Sequence, residues 1–116
     1  MNALKTAALL LALSALTNCN ANRVGEPFGR EPAVETERQR LGEATYMQHC
    51  HQCHPHGEAG LAPKLNDKPL PEFLIALQVR QGFGVMPSFG ESEISEEQLD
   101  ALTDYVVALR TAAQHP

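Results

Sequence analysis

The stretch Cys50-His51-Gln52-Cys53-His54 constrains the chain more than any other. Two thiols three positions apart, with an imidazole directly after the second, suit covalent attachment of a haem. Each thiol adds to one vinyl group, so the loop between them has to match the spacing of the two vinyls. The adjacent histidine then lies under the ring and offers a nitrogen to iron as proximal ligand. Two other chemistries use the same residue types. Cys50, Cys53, His54 and His56 make a zinc set on paper, although zinc histidines usually stand in a second cluster away from the cysteines. A thioredoxin-like redox pair expects a surrounding βαβ pattern, and this sequence has none.

A large apolar prosthetic group also answers a shortage. The chain has 116 residues, enough for one domain, with 5% aromatics and no tryptophan. A core that thin usually needs a staple, and a covalently held macrocycle placed at its centre is one. The formal charge of −5 argues against nucleic acid or anionic lipid as partners bound through net charge. A protein docking by electrostatics is expected to present a basic face.

The N-terminus reads as an export signal over residues 1–18. Lys5 supplies the positive end, and Thr6 to Leu16 is apolar apart from Thr6 and Ser14. That run is too short to span a bilayer. Leu16-Thr17-Asn18-Cys19 resembles the lipobox of bacterial lipoproteins, in which the cysteine is lipidated and becomes the mature N-terminus. Asn18 departs from the small residue usual there. Ordinary cleavage after Ala21 is the rival. Residues 19–36 carry Gly25, Pro27, Gly29 and Pro32 among arginines and glutamates, and read as a flexible tether with a reach of roughly 55 Å when fully extended. With Cys19 acylated, the domain is expected in the periplasm, tethered to a membrane.

Three helices are expected in residues 37–112, followed by a short tail at 113–116. The first covers Glu37 to His49. The second runs from Pro71 at its first position to Gln81, with Leu70, Phe73, Leu74 and Leu77 forming a core-facing stripe and Gly82 ending it. The third runs from Ser95 to Arg110, opened by a Ser95–Gln98 capping box, with Leu99, Leu102, Val106 and Leu109 in one stripe. His49, His51 and His56 crowd the attachment motif and are expected to face solvent.

Several landmarks now resemble class I cytochromes c in kind and in order. Gly42 and Tyr46 stand eight and four residues before Cys50, as the glycine and aromatic of that family do. Pro63 and Leu65 resemble its proline-any-leucine step. Met86-Pro87, in a glycine-containing loop, resembles its distal-ligand segment, 32 positions after His54. Leu102 and Tyr105 resemble the leucine and aromatic of its terminal helix.

The resemblance implies an all-α cytochrome c fold, three main helices around one covalently attached haem c. It implies thioether links at Cys50 and Cys53, iron ligation by His54 and Met86, a Pro63 carbonyl bonded to the second nitrogen of His54, and Leu65 on the ring face. Arg80, and Lys64 beside it, are candidates to pair with a haem propionate or to stand in solvent. Two axial ligands leave no open site for substrate, so the expected role is a monomeric single-electron carrier between redox partner proteins, not a catalyst. A cytochrome subunit held permanently by an oxidase or dehydrogenase is the alternative. A small haem peroxidase or gas-binding protein is a remoter one.

Overall fold

A capping box sets the start of the first helix. Thr36 has extended backbone, its hydroxyl accepts from the Gln39 N–H, and the Gln39 side chain accepts from the Thr36 N–H. This satisfies two of the donors that every helix start leaves over. The computed structural model describes residues 31–114. The leader, Cys19 and the tether as far as residue 30 lie outside the described residues.

Helix α1 spans Glu37–His49, α2 spans Glu72–Gln81 and α3 spans Glu96–Gln114, with one 3-10 turn at Pro55–Gly57. Among the described residues there is no strand, only an isolated bridge between Phe83 and Met86, and no helix is long and apolar enough to cross a membrane. The fold is all-α, as expected.

The α1–α3 crossing organises the core. A Cβ on Gly42 would lie 2.2 Å from the carbonyl oxygen of Ala101 and 3.0 Å from the Tyr105 Cβ. Only a residue without a side chain lets the two backbones approach so closely. Tyr46, one turn on, is fully buried and its ring lies 5.4 Å from that of Tyr105. Leu99, Leu102, Val106 and Leu109 line α3 inwards, joined by Val79 from α2 and by Ile94. The Ser95–Gln98 box opens α3 in both directions, each side chain bonded to the other's backbone N–H.

Four expectations are corrected. Pro71 is the N-cap of α2 with extended backbone, one residue before the first helical position. Arg110 does not end α3, which continues to Gln114 and takes in residues 113–114 of the expected tail. Its guanidinium instead donates to the carbonyls of Lys68 and Leu70, pinning the approach to α2. Residues 31–36 of the expected tether belong to the folded unit: Val34 packs on the core and Glu31 pairs with His56 at 2.5 Å.

The fourth correction bears on function. The stripe of Leu70, Phe73, Leu74 and Leu77 does not face the protein core. Phe73 is 69% exposed and Leu77 46%, whereas Val79 is the buried residue of α2, with Ile75 and Ala76 partly buried beside it. Helix α2 therefore presents two apolar sides, and the polypeptide covers one of them. Periodicity identifies an apolar stripe but not what covers it.

Replacing Gly42 by alanine is expected to force α1 and α3 apart at the cost of about 1–3 kcal/mol. Denaturant unfolding of the haem-loaded protein measures it.

Candidate haem site

The site is assembled where α1 ends. The Cys50 N–H and His51 N–H both donate to the Tyr46 carbonyl, closing the helix, and the His54 N–H donates to the Cys50 carbonyl at 2.9 Å. The cysteine–histidine stretch is thus a compact turn growing directly from α1. Cys50 is half-buried against the core and Cys53 is exposed. Burial, and secondarily the neighbouring Cys53, pushes the Cys50 thiol up to about 12.

His54 is held from several sides. Its Nδ1 lies 2.9 Å from the Pro63 carbonyl oxygen. A carbonyl can only accept, so Nδ1 carries a proton there, which leaves Nε2 the nitrogen with a lone pair in the neutral ring. The His54 carbonyl accepts from the Tyr46 hydroxyl, which in turn accepts from the Gly57 N–H at 2.8 Å. Burial holds that phenol protonated, well above the usual tyrosine range. The aromatic of α1 is therefore both a core residue and a clip across the turn that carries His54.

The loop back to Pro63 is braced by a polar cluster. The Leu65 and Asn66 N–H groups both donate to the Gly57 carbonyl, and the Ala62 N–H donates to that of Cys53. Glu58 is buried; its carboxylate takes Lys64 Nζ at 2.8 Å and Asn66 Nδ2 at 2.8 Å. The charge is affordable inside because it is paired and hydrogen-bonded. Lys64 is engaged here rather than offered to a propionate. Leu65, from the same loop, packs on the core cluster.

On the other side, Gly82 ends α2 in a positive-φ conformation and the chain turns at once. Phe83 and Met86 exchange both backbone hydrogen bonds, at 3.1 and 2.9 Å, around Gly84-Val85. This tight turn sets Met86 half-buried against the core, with Phe83 81% and Val85 97% exposed at its tip.

Arg80 has a different place from the one expected. Its Nη1 donates to the carbonyls of Phe89 and Ile94, and its Nη2 pairs with Glu96 at 2.6 Å. Part-buried loop carbonyls need donors, and a planar guanidinium supplies several at once. Arg80 therefore ties the segment after Met86 to α2 and to the start of α3.

The three extra histidines are also not turned to solvent. His51 and His56 meet edge to face at 4.6 Å, and His49 meets Phe89 edge-on at 5.5 Å. All three are half-buried. Among the described residues no group of three His, Cys, Asp or Glu side chains converges on a metal position.

These residues fit a haem. Two thiols of differing exposure stand beside an imidazole whose Nδ1 is engaged by Pro63, and among the described residues Leu74, Leu77, Phe73 and Phe83 leave apolar surface uncovered. Such surface suits an apolar macrocycle.

Comparison with known proteins agrees. The family model described as cytochrome C oxidase, cbb3-type, subunit III matches residues 37–106. The chain belongs to this cytochrome c family. The 4-cresol dehydrogenase [hydroxylating] cytochrome c subunit of Pseudomonas putida is 36% identical over 75 residues, which are 65% of this chain and 66% of that protein. The match thus spans just under two thirds of that relative's length. No solved structure is significantly similar to the chain. Membership decides among the three readings of the cysteine pair: the cofactor is covalently attached haem c.

Two features of the site were not legible in the sequence. The Glu58–Lys64 pair and Asn66 sit in a loop where charged residues read as solvated, and their burial has no local signature. The donor role of Arg80 depends on a loop folding back over it, which spacing does not reveal.

Tyr46→Phe removes the hydroxyl that bridges the His54 carbonyl and the Gly57 N–H, two hydrogen bonds, and leaves those groups only their direct 3.1 Å bond to each other. A loss of roughly 1–3 kcal/mol is expected, read from denaturant unfolding of the haem-loaded variant.

Proposed function

We propose that the chain is a one-electron carrier whose iron is held by His54 and Met86, with thioether links at Cys50 and Cys53. The observation that carries this reading is the pinned turn at Phe83–Met86, which fixes the backbone of the only described methionine on a loop and half-buries it against the core. Met47, by contrast, lies on α1 and is exposed. The haem supplies a one-electron couple when bound. Around it, Pro63 orients the imidazole through Nδ1 and raises its basicity, and Leu65 contributes apolar packing. A thioether opposite the imidazole favours the ferrous state, and with both axial positions filled neither substrate nor oxygen has a place to bind.

Haem c domains of this kind work in the periplasm or at a membrane. The export signal over 1–18 supports the periplasm, and lipidation at Cys19 would hold the domain close to membrane-bound donors and acceptors through the tether. The working unit is the haem domain carried on that tether. Docking is expected to be brief, on a partner with a basic face, because the chain is acidic.

The relative from Pseudomonas putida favours a second reading, in which the chain is the cytochrome partner of a dehydrogenase and is held by it permanently. Purification under mild conditions separates the two: a stable stoichiometric complex with a dehydrogenase supports the second, a free monomer the first.

Met86→Ala is expected to abolish the sulfur–iron absorption band, lower the midpoint potential and admit cyanide or carbon monoxide. Unchanged spectra would remove Met86 as ligand. Cys19→Ser is expected to shift the protein from the membrane to the soluble periplasmic fraction, and an unaltered distribution would rule out the lipid anchor.

A further inference from the structure

Helix α2 carries an amide beside its exposed apolar residues. Gln78 follows Leu74 by four positions and Leu77 by one, and is half-buried. Its Nε2 lies 3.7 Å from the sulfur of Met86, within hydrogen-bond reach for a thioether. Its backbone carbonyl accepts the Gly82 N–H at 2.8 Å, closing α2 just before the turn. One residue therefore contacts both the start of the Met86 turn and its sulfur.

The backbone around Met86 has little freedom. Both its N–H and its carbonyl are bonded to Phe83, and the space where a Gly82 Cβ would stand is taken by the Met86 oxygen at 2.5 Å and the Pro87 carbonyl carbon at 2.9 Å. What remains free is rotation about the side-chain bonds, which sets the direction of the sulfur lone pairs. Methionine has three such bonds and no branching, so packing alone restrains it weakly. A donor fixed on a helix restrains it at the atom that matters.

We infer that Gln78 is a positioning residue for Met86, donating its amide N–H to one sulfur lone pair so that the other is aimed at the iron. The inference rests on the reading of Met86 as a ligand. A sulfur has two lone pairs and is a weak acceptor. With one engaged by Gln78, the thioether has a single orientation for metal binding and gives slightly less electron density to the metal. The first effect acts on the couple, the second on ligation itself. Weaker donation favours ferrous over ferric iron, and a sulfur already held in place loses less freedom on ligation.

The sign of the potential change distinguishes this role from packing. Gln78→Leu keeps the size of the side chain and removes the donor. An apolar side chain in the cleft disfavours the extra positive charge of ferric iron and so, acting through environment alone, would leave the potential unchanged or raise it. Loss of the hydrogen bond lowers it instead.

The test uses the haem-loaded protein and measures the midpoint potential by redox titration, together with the affinity of the ferric form for added imidazole. In Gln78→Leu the potential is expected to fall and imidazole to displace the thioether about fivefold more readily, the equivalent of one ordinary hydrogen bond. Gln78→Ile poses the same question with a differently shaped side chain if the leucine variant takes up haem poorly. A sulfur–iron band present in the unsubstituted protein, with a potential that stays or rises in the variants, overturns the role of Gln78 and leaves Met86 as ligand. Absence of that band from the unsubstituted protein overturns the Met86 assignment and the Gln78 role with it.

Discussion

Everything in this domain is referred to the point where α1 and α3 touch at Gly42. The attachment turn begins one residue after α1 ends, so the direction of α1 decides where Cys50 and His54 stand. That direction is fixed only because the backbone of α1 rests on the Ala101 carbonyl. Tyr46 extends the same contact: its ring packs on Tyr105 and its hydroxyl holds the His54 turn. The helix crossing and the His54 turn are thus two ends of one connection, with a single side chain between them.

The second organising fact is a core that the polypeptide only half supplies. Buried apolar residues from α1 and α3, with Val79 and Ile94, form one coherent cluster. Phe73, Leu77, Phe83 and Val85 stand outside it. For a small chain, a covalently held macrocycle would supply apolar mass that the described core lacks. Loss of the cofactor would therefore remove structural support along with redox function.

Much of this could be read from the residues in order. Gly42, Tyr46, the cysteine pair, His54, Pro63 and Met86 each have a local reason for their identity, and chain order ties them together. The helices were legible through caps and stripes, and α3 most clearly, since one face of it meets protein along its length. What patterning did not reveal is how long-range contacts are shared out. The stripe on α2 has the same period whether it is buried or exposed, so its exposure was invisible. Arg80 and Lys64 read as propionate partners or solvated charges, and Arg110 as the end of α3, because their partners lie in loops or across the fold, at spacings that no helix or turn dictates. The half-burial of His49, His51 and His56 likewise comes from Phe89, Glu31 and one another, brought close only by the completed fold.

The two arginine clamps have a consequence for variation. Arg80 holds the carbonyls of Phe89 and Ile94, and Arg110 holds those of Lys68 and Leu70. A carbonyl is the same chemical group whichever amino acid bears it, so these anchors are blind to the side chains of the loops they secure. The surface on either side of α2 can thus diverge to suit a new redox neighbour while the loops stay moored to the helices.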